Sequence, residues 1–144
     1  PKRMLKALEI FRQTGKPYSS FLTGSAKPRP FRILKIALDV ARDELYRRIN
    51  ERADTMMLQG LEEEARDLYP YRHLNALNTV GYKELFSYFE GLYDKDEAIR
   101  LIKRNTRRYA RRQLTWFRND EEYHWLSPSE PQKIIQFIEK QMLI

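Results

Sequence analysis

The sequence predicts a mostly α-helical fold, a helical bundle carrying one or two strands, and three observations predict it. Apolar residues recur at helical spacing, with cap residues at the ends, over most of the 144 residues. Only 31–38 and 123–126 have the dense apolar and β-branched character of a strand. The stretch TRRYARRQLTWFR, 106–118, sets five arginines among aromatics with no acid, on what reads as one long helix. Composition narrows the class further. No run of 18 apolar residues is present to span a membrane, and the absence of Cys excludes a disulfide framework and a thiolate metal site. His73 and His124 are too far apart to suggest zinc. A net charge of +7 and a pI near 9.7 favour an anionic partner such as nucleic acid.

Taken in order, KRMLKALEIF is helical and stops at Gly15, and KPYSSFLTGSAKPRP is a long loop. The run FRILKIAL, 31–38, reads as a strand bounded by Pro30 and Asp39. The chain from Arg42 to Leu58 is a helix with Leu45, Ile49, Ala53, Met56 and Met57 on one stripe, ended by Gly60. The next helix, 61–69, opens with Glu62, Glu63 and Glu64, as the positive end of a helix dipole prefers, and that acidic cluster is expected to face water. Arg48, Arg52 and Glu64 read as scaffold ion pairs. A loop over 70–80 precedes a short helix over 81–90. Asp94 and Glu97 spell a capping box for the helix that contains TRRYARRQLTWFR. Ser127, Pro128 and Glu130 spell a cap, a first-turn proline and a capping glutamate for a last helix over 128–142. Two short strands far apart in sequence make a poor sheet alone, because each strand needs neighbours for its backbone hydrogen bonds. The rest of the sheet is therefore expected in sequence beyond this chain, which begins at Pro1 without Met or a signal peptide.

At about 100° per residue, positions 98, 102, 105, 106, 109, 113 and 116 share one sector of the long helix. Arg100, Lys103, Arg104, Arg107, Arg111 and Arg118 share the opposite one. The first sector is expected to be core and the second a cationic face toward an anionic partner. Thr106 and Gln113 are polar residues on the apolar side, and Leu114 sits among the arginines. Guanidinium groups beside Trp116 suit a surface that holds phosphates and meets bases.

TRRYARRQLTWFR resembles the Thr-Arg-x-Tyr-Ala-Lys-Arg-Gln-x-Thr-Trp-Phe-Arg signature of the tRNA dimethylallyltransferase (tRNA isopentenyltransferase) family, with Arg111 where lysine is usual. PKRMLKALEIFRQTGKP, with Lys6 for an arginine, RDELYRRINERADTMMLQGLEEEARDL and NTVGYKEL resemble three further blocks of that family in the same order. The resemblance implies transfer of a dimethylallyl group from dimethylallyl diphosphate to the exocyclic amine of the adenosine 3′ of the anticodon. It implies a cytoplasmic enzyme, monomeric at full length, that takes the tRNA anticodon stem-loop as partner. The family's nucleotide-type P-loop, the aspartate that serves as general base and the Mg2+ site belong to its N-terminal part. No Gly-x-x-x-x-Gly-Lys-Ser/Thr occurs here. The chain is thus expected to be the C-terminal part, inactive alone, with residues 1–30 ending a helical insertion and loop. Residues 31–144 would supply tRNA-binding helices and strands that complete the parallel α/β P-loop sheet. A stand-alone basic helical RNA-binding module, or an interaction protein with a helical docking face, is the alternative class.

Arg42 lies just past a strand, in the first turn of a helix, where α/β proteins bind phosphate. It matches the arginine that the family aims at the diphosphate; the plainer role is a salt bridge to Asp39 or Glu44. The resemblance also implies tRNA contacts at Pro1, Lys2 and Arg3, at Asn78, Thr79, Val80, Gly81, Tyr82 and Lys83, and at Arg111, Arg112, Gln113, Leu114, Thr115, Trp116, Phe117 and Arg118. Arg107 joins them from its place on the cationic sector. Free backbone amides at a Gly81 helix start, with Lys83, are expected to hold a phosphate. Gln113 and Thr115 are expected to hold the extruded adenosine or its neighbours.

Overall fold

A computed structural model of the chain describes residues 2–22 and 30–142. It divides into two compact units, Pro1–Ile33 and Leu34–Ile144. In the first, helix α1 (Lys2–Thr14) ends where Gly15 takes φ +67°. The Thr14 hydroxyl donates back to the Ile10 carbonyl at 2.7 Å. A 3-10 turn, Tyr18–Phe21, follows. Met4, Leu5, Leu8 and Phe11 form an exposed apolar stripe on α1.

The second unit opens with strand β1 (Lys35–Leu38), which pairs in parallel with β2 (Tyr123–Leu126), Lys35 opposite Tyr123 and Leu38 opposite Leu126. The two strands read from the sequence pair with each other, in the parallel sense expected. The strand expected over 31–38 extends only over its last four residues, because β2 offers a ladder no longer than that. Lys35 clips the pair to the preceding turn, with its ammonium 2.7 Å from Asp120 and 2.6 Å from Glu122. Those carboxylates hold the Lys35 proton more tightly than usual, the Asp120 hydrogen bond contributing most.

Helix α2 (Arg42–Leu58) leaves the end of β1 after a short turn, and Gly60 at φ +95° reverses the chain into α3 (Leu61–Leu68). Helix α4 (Tyr82–Phe89) and the long α5 (Lys95–Arg118) complete the bundle, and α6 (Pro131–Met142) closes the described chain. The Asp94 carboxylate caps α5 by accepting from the Glu97 amide at 2.8 Å, but the Glu97 side chain turns to Arg100 instead of back to Asp94. Helix α6 starts at Pro131, three residues later than predicted. The Ser127 hydroxyl accepts from the Ser129 amide within a turn, and Pro131 rather than Pro128 takes the first helical turn.

The core lies where α2, α3, α4 and the first half of α5 meet. Ala53, Ala65 and Ala98 are buried at the helix contacts, where small side chains let backbones approach closely. Leu85 is fully buried among them, and Phe86 meets Tyr69 edge-on at 5.7 Å. The Glu62 side chain, expected in water, is only 14% exposed and bridges Arg66 and Lys95, tying α3 to α5. Arg48 pairs with Glu44 as a scaffold contact, and Glu64 accepts from the Tyr82 hydroxyl, whereas Arg52 enters no salt bridge among the described residues. Arg47 and Arg48 hold the Glu44 carboxyl down at about 2.

Candidate functional site

Helices α2 and α5 meet along two rows of side chains whose pairings run in opposite directions. At one end Lys103 pairs with Asp54 at 2.6 Å. One turn along, Arg107 donates to the Asn50 amide oxygen at 2.6 Å, and its guanidinium carbon lies 5.9 Å from the centre of the Tyr46 ring. One turn further, the Arg42 guanidinium carbon lies 5.2 Å from the same ring. The α2 row thus reads Asp54, Asn50, Tyr46, Arg42, spaced four residues apart on one face. Along it the partner offered to each cation weakens from carboxylate to amide to aromatic ring, and ends in another arginine. Positive charge therefore stays uncompensated at the end nearest β1.

At that end a cavity of about 250 Å³ opens, lined by Arg42, Tyr46, Arg111, Thr115 and Arg118 over an apolar floor of Val40, Leu45 and Leu114. Among the described residues no carboxylate pairs with Arg42, Arg111 or Arg118. The Arg118 guanidinium lies 5.4 Å from the Trp125 ring centre. Tyr46 loses its proton more readily than a free tyrosine, chiefly because Arg42 hydrogen-bonds it and, against burial, because Arg111 does too. Three guanidinium forks converging on one cavity suit an oxygen-rich dianion more than a single point charge.

On a different flank of α5 lies a cavity of about 470 Å³ lined by Asn78, Thr79, Val80, Thr106, Tyr109 and Arg112. Its wall over 78–81 is held from below. Gly81 takes φ +108° at the start of α4, and its amide donates to the buried Glu84 carboxylate at 2.8 Å. Asn105 donates to the other oxygen of Glu84 at 2.7 Å. Two of the amides at this helix start have partners within the chain: Glu84 takes that of Gly81, and the Thr79 carbonyl takes that of Lys83. The Tyr82 hydroxyl is bound to Glu64, and that carboxylate raises the phenol's pKa. Of this block, Asn78, Thr79 and Val80 face the cavity while Lys83 is exposed beside Arg72 and Ser87.

The two-faced reading of α5 needs correction. Ala98 and Ile102 are buried and Thr106 bonds back to the Ile102 carbonyl, so the predicted core sector holds for the first half of the helix. Beyond it the same sector is open, with Tyr109 52% and Trp116 65% exposed and Gln113 exposed as well. Helix α4 is eight residues long and covers no more of α5 than that first half. Gln113 does not face an interior beside Thr106; it edges an apolar cavity of about 290 Å³ between α5 and the strands. Arg107 is not a free surface cation, since α2 braces it. Leu114 sits among arginines because that sector packs on Leu45. Thr115 lines the arginine cavity and donates to the Arg111 carbonyl, and Phe117 packs edge-on to Trp116 and Tyr123. Lys2 and Arg3 are exposed in the first turn of α1, in the other unit, and Pro1 lies outside the described residues. Sequence reasoning passed over Tyr46 and Tyr109, although Tyr46 stands one helical turn from Arg42.

A parallel strand runs into a helix whose first residue is an arginine, and an arginine-rich helix faces it, so a cationic cavity lies at the strand end. Residues 1–120 match the family model described as IPP transferase. The chain is 54% identical over 142 residues to the tRNA dimethylallyltransferase of Cytophaga hutchinsonii, covering 99% of this chain and 47% of that protein. It is 56% identical over 142 residues to tRNA dimethylallyltransferase 2 of Parabacteroides distasonis, covering 99% and 48%. Its fold superposes with a TM-score of 0.72 and 38% identity on the crystal structure of the full-length tRNA isopentenylpyrophosphate transferase from Bacillus halodurans, covering 96% of this chain and 44% of that one. The chain belongs to the IPP transferase family. It spans about half the length of the curated relatives it matches.

Proposed function

We propose that this chain is the part of a tRNA dimethylallyltransferase that holds the diphosphate of the prenyl donor and grips the tRNA. The observation that carries the proposal is the cavity lined by Arg42, Arg111 and Arg118, which have no carboxylate partner among the described residues. As the carbon–oxygen bond of dimethylallyl diphosphate breaks, negative charge grows on the leaving oxygens. Guanidinium forks already in place stabilise that charge more than they stabilise the bound donor. The cavity with Tyr109, Val80 and Arg112 lies on another flank of α5 and offers an exposed ring and a cation, the combination on which an unpaired base stacks beside its phosphate. Transfer to the amine of the adenosine 3′ of the anticodon needs that base extruded from its stack.

No group of three or more His, Cys, Asp or Glu among the described residues is placed to hold a metal ion. No described helix is long and apolar enough to cross a membrane.

The test is Arg42→Ala in the intact protein. Single-turnover prenylation slows by roughly two to three powers of ten while tRNA affinity stays near wild type. Equal loss of tRNA binding places Arg42 on the nucleic acid and removes the diphosphate assignment.

A further inference from the structure

Resting on the diphosphate reading above, we infer that Tyr46 is a positioning residue of the arginine cavity, whose ring and hydroxyl hold Arg42, Arg107 and Arg111 in place without neutralising them. The neighbouring ladder positions show what other side chains do there. Asp54 pairs with Lys103 at 2.6 Å and cancels its charge, and Asn50 takes one donor of Arg107. Tyr46 instead meets two guanidinium groups with its ring, at 5.2 Å and 5.9 Å from the centre. A ring face attracts a cation through its quadrupole and carries no net charge, so the guanidinium gains a fixed plane and keeps its attraction for an anion.

Two further observations fit this role. Arg42 and Tyr46 stand one helical turn apart on α2, so the contact is built into a single helix and does not wait for a partner. Arg42, Tyr46 and Arg111 line the same cavity, and the two guanidinium groups, Arg42 first, ease loss of the phenol proton. Its partners on α5 and its own helix are cations, and no carboxylate lines this cavity. An acid at position 46 would hold the same arginines more tightly but would turn the cavity toward neutrality.

The experiment compares Tyr46→Phe, Tyr46→Leu and Tyr46→Glu in the intact protein. It measures inhibition by inorganic diphosphate, KM for dimethylallyl diphosphate, kcat, and tRNA affinity by filter binding. Phe keeps the ring and loses the hydroxyl, and weakens diphosphate binding about two- to threefold. Leu removes the ring and weakens it roughly fivefold to tenfold, from the size of two partly exposed cation–ring contacts. Glu weakens it more than Leu, with tRNA affinity unchanged in all three and kcat lowered at least as much as KM is raised, since the arginines act most strongly on the leaving group. Tyr46→Gln, helix-compatible at a half-exposed position, repeats the ringless case if Leu lowers the helical signal. Leu or Gln matching wild type, Glu no worse than Leu, or tRNA affinity falling in step with donor affinity overturns the inference while the diphosphate reading stands. Failure of the wild-type protein to bind diphosphate overturns both.

Discussion

Glu84 is the buried charged side chain among the described residues, 5% exposed, and it is fully employed. One oxygen caps the Gly81 amide, and the other accepts from Asn105 on α5, so a single carboxylate joins the start of α4 to the long helix. Glu84→Ala strands both donors and is expected to cost about 2–4 kcal/mol, read from the midpoint of urea unfolding at unchanged slope. Glu84→Gln keeps one acceptor oxygen and costs less. The sequence held the signal. Gly81 and Glu84 have the same spacing as Asp94 and Glu97, where a capping box was read. Glycine lacks the side-chain half of the box, which hid the carboxylate half. The place of Arg42 was legible, because a helix start after a strand and the family resemblance both mark it, and the structure puts it on the wall of the arginine cavity. Tyr46 was not, since a tyrosine on a helix stripe packs as core far more often than it carries guanidinium groups.

At the scale of the element, α5 was placed well in angle and poorly in surroundings. A helical wheel gives the direction of each side chain but not the extent of the neighbour it meets, and α4 begins only at Tyr82, with its Glu84 already opposite Asn105 in the first half of α5. The sector that begins at Ala98 as core therefore ends at Trp116 in solvent. The arginines divide accordingly. Arg108 and Arg112 are exposed and enter no salt bridge among the described residues, whereas Arg107 is braced by Asn50. Neutralising Arg108 and Arg112 to Gln is expected to weaken tRNA binding and flatten the slope of log affinity against log salt by about 1.4 to 1.8. Arg107→Gln is expected to leave that slope nearly unchanged and to lower the unfolding midpoint instead. A slope moved more by Arg107 than by the exposed pair reverses this division. The strand clip is an element-scale contact with a pH sign. Hydrogen bonding by Lys35 holds the Asp120 pKa below the usual carboxylate range, so its contribution is present above that range and is lost as pH falls through the depressed value. Lys35→Met removes the acid sensitivity that arises at this clip.

For the whole molecule, the class of fold followed from element types, and the family from four ordered blocks of residues. The sheet did not follow fully. Two segments read as strands, but a single sequence does not say that β1 and β2 lie side by side, because parallel neighbours have no turn between them to announce the pairing. No P-loop motif is present in the 144 residues. The purified chain alone is therefore expected to give no prenylated tRNA with dimethylallyl diphosphate and magnesium, and measurable product would refute that. Arg111 and Arg112 are adjacent in sequence, yet the first lines the arginine cavity and the second the cavity with Tyr109. Successive residues of a helix differ by about 100° in direction, so the count of residues between Ile102 and Arg118 decides which cation enters which cavity. Adding or deleting one residue there turns everything after it by that angle and takes an arginine away from one of the two cavities. Loops around this helix can lengthen, but the segment TRRYARRQLTWFR admits changes of letter and not of length.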